Sequence, residues 1–174
     1  MPLPVLTDRL ELRWPIESDY AALCTLWTDP RVARFMDDYG PRDPAAVRDW
    51  LDTHANNPGD GTHLQLIITR RSDAEVLGWL GLGASDDPLA AWSFGYAVLP
   101  SHRSYGYATE ALKAALAHCH GDRDIPSLWG ECHPTNAASA HVMQSAGMQE
   151  TTPAPNTSRR FIHPPTQQAT PPNR

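Results

Sequence analysis

The segment that most constrains this chain runs from Phe94 to Leu116. An apolar stretch closes at Leu99-Pro100, a polar turn carries Arg103 and Gly106, and a helical periodicity follows. From Ala108 onward the apolar side chains are Ala108, Ala111, Leu112, Ala115, Leu116 and Cys119, the i, i+3, i+4, i+7, i+8, i+11 spacing of one helix face. A strand that enters a tight glycine turn and then a helix leaves the N–H groups of the first turn unpaired, at the end where the peptide dipoles favour negative charge. Such a place suits a phosphate or pyrophosphate.

At 174 residues the chain is the size of one domain with a sizeable core. A net charge of −6 and a sequence pI of about 5.7 argue against a general attraction to nucleic acid or to an anionic membrane, since both need a basic surface. Cys24, Cys119 and Cys132 do not pair off and have no C-x-x-C spacing, which suits the reducing cytoplasm better than a disulfide-stapled secreted fold. The N-terminus lacks the basic start and apolar run of a signal peptide, and no apolar stretch approaches the roughly 18 residues of a membrane span.

Arg9 to Trp14 alternates apolar and charged side chains and predicts a half-buried strand, closed by Pro15. Glu17-Ser18-Asp19 supplies a cap and first-turn acids for a helix to about Trp27, with Leu23, Leu26 and Trp27 buried. The Asp29-Pro30 and Asp43-Pro44 pairs each put a carboxylate at a helix N-cap and a proline at the first helical position, where its missing N–H costs nothing. After the turn formers at 56–61 the pattern becomes extended: His63–Thr69, Val76–Leu82 and Trp92–Leu99 predict a three-strand meander. Gly121 stands where a helix would end, Leu128–Cys132 predicts a strand, and Ala137–Ala146 predicts a helix ended by Gly147. From about 153 to 174 the chain is rich in Pro, Thr, Gln, Asn and Arg, with Phe161-Ile162 its only apolar pair, and predicts a disordered tail after a domain of residues 1–152. No internal repeat is present. The order of elements predicts a mixed α/β domain around one partly antiparallel sheet.

Arg103-Ser104-Tyr105-Gly106-Tyr107-Ala108 fits R/Q-x-x-G-x-G/A, the signature of the GNAT family of N-acetyltransferases, which the chain resembles in context as well. Thr7-Asp8-Arg9-Leu10-Glu11-Leu12-Arg13 is similar to the opening strand of its branch of ribosomal-protein N-terminal acetyltransferases. Gly106-Tyr107-Ala108-Thr109-Glu110-Ala111-Leu112 and His133-Pro134-Thr135-Asn136-Ala137-Ala138-Ser139 resemble that branch's two later motifs. The resemblance spans roughly Leu6 to Glu150. It departs at Ser104 and Tyr105, where relatives often carry glycine and a cation, and beyond Met148, where they continue into a closing hairpin.

The resemblance implies a mostly antiparallel central sheet flanked by helices, with a splayed pair of fourth and fifth strands, here Trp92–Leu99 and Leu128–Cys132. Acetyl-CoA would lie in that gap as co-substrate, with no metal. The turn residues Arg103, Ser104, Tyr105, Gly106, Tyr107 and Ala108 would hold the pyrophosphate through backbone N–H groups, Arg103 adding its charge. The edge at Ala97, Val98 and Leu99 would pair with the pantetheine amides, and an N–H there would hold the oxyanion. Glu131 and His133 are the candidate bases. The tyrosine that many relatives use as general acid falls at Met143, Ser139 stands near the sulfur, and Asn136 bonds to the coenzyme.

Plainer readings stand beside these. Arg103 also reads as an ordinary exposed arginine, Glu131 as a solvated strand end, Ser139 as a first-turn residue and Asn136 as a helix cap. Cys119-His120, Cys132-His133 and His141 lack metal-ligand spacing, and the six tryptophans, scattered over different elements, suit core packing. The first function is therefore N-acetyl transfer to a primary amine, a protein N-terminus or a small molecule, by direct attack on the thioester. The alternatives are a non-catalytic acyl-CoA-binding or regulatory module and a structural partner without ligand. The acceptor side falls to the helices of 18–54, where Asp37 and Asp38 would attract a cationic amine. Monomer and homodimer are equally compatible with the sequence.

Overall fold

The computed structural model describes residues 3–36, 40–41, 43–55, 61–87, 90–122, 125–151 and 158–163. Strands β1 (Val5–Leu6) and β2 (Leu10–Arg13) lead into helices α1 (Tyr20–Thr28), α2 (Pro30–Ala33) and α3 (Pro44–His54). Then come β3 (His63–Arg70), β4 (Val76–Ala84), β5 (Trp92–Val98), α4 (Tyr107–Asp122), β6 (Leu128–Cys132), α5 (Ala137–Ser145), β7 (Gln149–Glu150) and β8 (Arg159–His163). The strands form one sheet in the order β1-β2-β3-β4-β5-β6-β8-β7. Neighbours pair antiparallel throughout, except β5 with β6.

Local chemistry sets the element starts. Asp29 Oδ1 accepts the Arg31 N–H at 2.7 Å and Asp43 Oδ1 accepts the Ala46 N–H at 2.9 Å, each with proline at the helix start. Asp19 instead turns back on the preceding strand. Its carboxylate, almost fully buried, takes the Arg13 guanidinium at 2.7 and 2.8 Å and the Ile16 N–H at 2.9 Å, closing a 3-10 turn (Glu17–Asp19) ahead of α1. At the end of α5, Gly147 has φ +91°, and the Met148 and Gly147 N–H groups reach back to Met143 O and Gln144 O at 3.1 and 3.0 Å. Gly121 does not play that part. It lies inside α4, which continues to Asp122.

The sheet has a helix layer on each face. On one, α4 and α5 cover a core of Leu10, Leu12, Leu66, Ile68, Leu80, Leu112, Met143 and Phe161; on the other, α1–α3 cover Ile67, Trp79, Ala97 and Leu99. The continuous apolar run of β4 follows from this, because a central strand is buried on both faces. Trp27 packs edge-on against Trp50 and Trp79, with centroids at 4.8 and 5.9 Å, so Trp27 and Trp79 are core and Trp50 covers them half-buried.

The expected tail needs correction. Within it, Arg159–His163 forms β8, which pairs with all five residues of β6 and with β7, so β7 and β8 supply a closing hairpin. Phe161 is fully buried there. Arg159 binds Glu150 through two contacts at 2.7 Å, and Arg160 binds Asp87 at 2.6 Å. The remaining tail positions, 153–157 and 164–174, lie outside the described residues.

Candidate functional site

Strands β5 and β6 pair only at Trp92–Leu128 and Ser93–Trp129, then diverge. Beyond those pairs β5 keeps its partner β4 and β6 keeps its partner β8. The Phe94 ring lies against Gly130 at the closed end of the fork, where a Cβ would come within 2.4 Å of it. The Leu99 N–H is already committed to Leu77 O at 2.8 Å. Because successive residues of a strand turn their peptide groups in opposite directions, the Val98 N–H faces the gap. Ala97 and Leu99 contribute buried side chains to the α1–α3 face instead.

The turn after β5 runs through Pro100–His102 to Ser104, at φ +67°, and Gly106, at φ +81°. Both occupy the left-handed region, which glycine enters without steric cost and a serine does not. Ser104→Gly is expected to hold or raise the thermal midpoint, and Ser104→Val to cost about 1–2 kcal/mol; thermal unfolding of the two variants checks this. The 16-residue α4 starts at Tyr107, so its first N–H groups open directly onto this turn.

The Arg103 side chain reaches back to β5 and across to α2. Its Nε donates to Val98 O at 3.4 Å and its Nη2 to Arg31 O at 3.5 Å, tying the turn to α2. Burial lowers its pKa from the ordinary value. Asp29 faces it, its carboxyl lowered to about 2 by the Arg31 hydrogen bond. Tyr105 is exposed, with its ring stacked at 5.8 Å on Tyr107, whose side chain is buried; Ala108 is half-buried in the first turn. Beside the turn a depression of about 630 Å³ is lined by Thr7, Gly106, Thr109, Glu110, Lys113 and Ser145.

A polar pair crosses from β5 to α5. The Tyr96 hydroxyl lies 2.8 Å from Ser139 Oγ and 3.2 Å from Ser139 O, while the Ser139 N–H donates to the Asn136 side chain at 3.1 Å. Asn136 is thus the cap of α5. Burial pushes the Tyr96 phenol far above its ordinary value, so it stays a proton donor. Cys132 neighbours Ser139, its thiol also pushed up by burial. Met143 is buried in the core and offers no proton.

Glu131 sits at an exposed position of β6, alternate to Leu128 and Cys132 of the α4–α5 core, so it faces the other side of the sheet from Ser139. Its Oε2 accepts from Ser158 Oγ at 2.8 Å. His133 is exposed, 6.2 Å from the Phe35 ring. The Thr135 N–H donates to its Nδ1 at 3.2 Å, and the Thr135 hydroxyl lies 2.8 Å from the same atom. A neutral His133 therefore carries its proton on Nε2, and its one ring lone pair is occupied. Asp37 and Asp38 lie outside the described residues.

Sequence reading missed Tyr96, visible only as one alternate position of an apolar strand, and the Arg9–Glu110 contact, which joins residues 101 apart. Glu110 Oε1 accepts from Thr7 Oγ1 at 2.5 Å and from the Arg9 N–H at 3.1 Å, and Oε2 takes the Arg9 guanidinium at 2.6 Å. Burial pushes the Glu110 carboxyl up, but these Thr7 and Arg9 bonds outweigh it and hold the group below its ordinary value. Among the described residues no three His, Cys, Asp or Glu side chains gather as a metal site, and no helix is long and apolar enough to cross a membrane.

Comparison with known proteins agrees with this geometry. The N-acetyltransferase p20 of Bacillus licheniformis, itself uncharacterized, is 24% identical over 144 residues, 83% of this chain and 81% of that protein. The structure of RimL, the ribosomal L7/L12 α-N-protein acetyltransferase, in complex with coenzyme A matches with a TM-score of 0.75 at 21% identity, over 92% of this chain and 96% of that one. Spermidine N-acetyltransferase of Vibrio cholerae, in complex with CoA and spermine, matches with a TM-score of 0.75 at 12% identity, over 91% and 97%. The acetyltransferase (GNAT) domain family matches residues 9–149. With most of its length inside that match, and with the forked strands and helix-capped turn that go with it, the chain belongs to the GNAT family of acetyl-CoA-dependent acetyltransferases.

Proposed function

We propose that this protein transfers the acetyl group of acetyl-CoA to a primary amine, a protein N-terminus or a small molecule, by direct attack of the amine on the thioester. The observation that carries this reading is the fork between β5 and β6, opening above a left-handed turn at the start of α4. Such a fork exposes strand-edge amide groups to pantetheine, and the helix start favours pyrophosphate. The Val98 N–H is our donor for the oxyanion. The depression beside the turn takes the nucleotide end, where Lys113 on its rim supplies the cation that the turn lacks at Tyr105.

The two sides of the sheet divide the proton chemistry. We place the base at Glu131, whose Oε1 has no hydrogen bond among the described residues, acting on the amine directly or through water. His133, its lone pair engaged, is assigned no proton to take. Ser139, supported by Tyr96, protonates the departing thiolate and takes a replacement proton from solvent as the thiolate leaves. RimL and spermidine N-acetyltransferase bracket the acceptor range as a protein α-amine and a polyamine.

The test is calorimetry with acetyl-CoA followed by an amine panel read by thiol release. Binding with release on at least one amine class is expected. Binding with silence across α-amines, polyamines and aminoglycosides would leave an acyl-CoA-binding module, and no heat at sub-millimolar ligand would remove both readings. In the same titration Arg103→Ala is expected to weaken binding several-fold, because the turn loses its tie to Val98 and α2.

A further inference from the structure

The coenzyme turn is also held from outside the fork. The Arg9 guanidinium bridges two groups at once: its Nε and Nη2 reach Glu110 Oε2 at 2.7 and 2.6 Å, and its Nη1 donates to the carbonyl of Tyr105 at 3.0 Å. It also stands 4.8 Å over the Tyr107 ring. Thr7 completes the arrangement, taking the Leu10 N–H at 2.8 Å while donating to Glu110.

We propose that Arg9 and Glu110 form a neutral strap that fixes the Tyr105–Gly106 peptide in its anion-binding orientation. The inference rests on the coenzyme reading above. In a trans peptide the C=O and N–H point in opposite directions. Holding the Tyr105 carbonyl on Arg9 therefore turns the Gly106 N–H away from Arg9, free to meet a phosphate oxygen. Without the strap this peptide, followed by a glycine at φ +81°, has little to stop it rotating, and rotation would present a carbonyl oxygen to the phosphate.

Charge gives the strap its second role. Glu110 is in the first turn of α4, where a bare carboxylate would offset the partial positive charge of the helix start and repel pyrophosphate. Arg9 cancels that charge. As a source of stability the pair is minor, because the Arg9 side chain is 48% exposed and exposed ion pairs contribute little. The effect of removing it belongs in binding, which makes Arg9 a positioning residue.

Calorimetric titration of the full chain with coenzyme A tests the strap without knowledge of the acceptor. Arg9→Met is expected to weaken binding about tenfold, equivalent to about 1.4 kcal/mol, with a near-normal thermal midpoint. Adding Glu110→Gln to Arg9→Met is expected to recover part of that loss, which no general loosening of the fold would do. Arg9→Lys keeps the charge but lacks the fork that reaches both partners. It is expected to lose several-fold, and it supplies the test if Arg9→Met does not fold. Equal dissociation constants for wild type and the Arg9 variants, or no recovery in the double variant, overturn the strap. Absence of binding by wild type overturns the coenzyme reading and the strap together.

Discussion

Phe161→Ala is expected to lower the free energy of unfolding by about 3–5 kcal/mol, the range for truncating a buried phenylalanine. The side chain is fully buried in the core shared by α4, α5 and the sheet. Its strand is the antiparallel partner of β6 from Leu128 to Cys132, so the cavity would open behind one arm of the fork. The salt bridges flanking it on the same strand, Arg159–Glu150 and Arg160–Asp87, are partly exposed and should matter far less. Urea unfolding of Phe161→Ala beside Arg159→Ala distinguishes the two contributions. A loss below about 1 kcal/mol for Phe161→Ala would mean that residues 159–163 are not packed on the sheet, since a side chain in a disordered tail is nearly silent.

The same strand shows where reading the sequence stops. Elements with local causes were legible: Asp29 and Asp43 as caps, the α4 stripe of Ala111, Leu112, Ala115 and Leu116, and the glycine end of α5 at Gly147. Strand β8 has no local cause. Two apolar residues among prolines and polar side chains carry no periodic signal, and what orders them is pairing with β6, about 30 residues earlier in the chain. Gly121 misled in the opposite way. It is compatible with a helix end, but the apolar face of α4 continues through Cys119 and keeps the last turn packed.

The candidate site divides along the same line. The turn was readable because its residues are contiguous and their backbone demands are local, with Ser104 and Gly106 both at positive φ. Side-chain roles depended on neighbours from elsewhere in the chain. Arg103 spans β5 and α2 because Val98 O and Arg31 O accept from it there, and His133 loses its lone pair to Thr135, a contact set by the turn conformation rather than by residue type. Arg9 reads as the polar face of a strand until Glu110 and Tyr105 are brought to it from the other side of the domain.

Ser139→Ala is expected to lower kcat about 10²-fold, with the KM for acetyl-CoA within about threefold of wild type. General acid catalysis contributes roughly 10²–10⁴-fold. The lower end applies because a thiol, with a pKa of about 8.5, leaves tolerably well unaided. Tyr96→Phe should reproduce most of this loss. When the Tyr96 O–H donates to Ser139 Oγ at 2.8 Å, the serine proton is left free for the thiolate, and removing the phenol removes that orientation. The Ser139→Ala/Tyr96→Phe double variant should then be little slower than Ser139→Ala alone, as befits two groups acting as one unit. Full additivity of the two losses would separate them. The pH dependence adds an independent check. Because burial raises the Tyr96 phenol above its ordinary pKa of about 10, it remains protonated across the assay range, and Tyr96→Phe should lower the plateau of the pH–rate profile without moving either limb. The stability linkage has the matching sign. A raised phenol pKa favours the folded state below about pH 10 and loses that advantage as alkaline pH strips the proton from the unfolded chain first. Wild type should therefore lose stability above that pH more steeply than Tyr96→Phe.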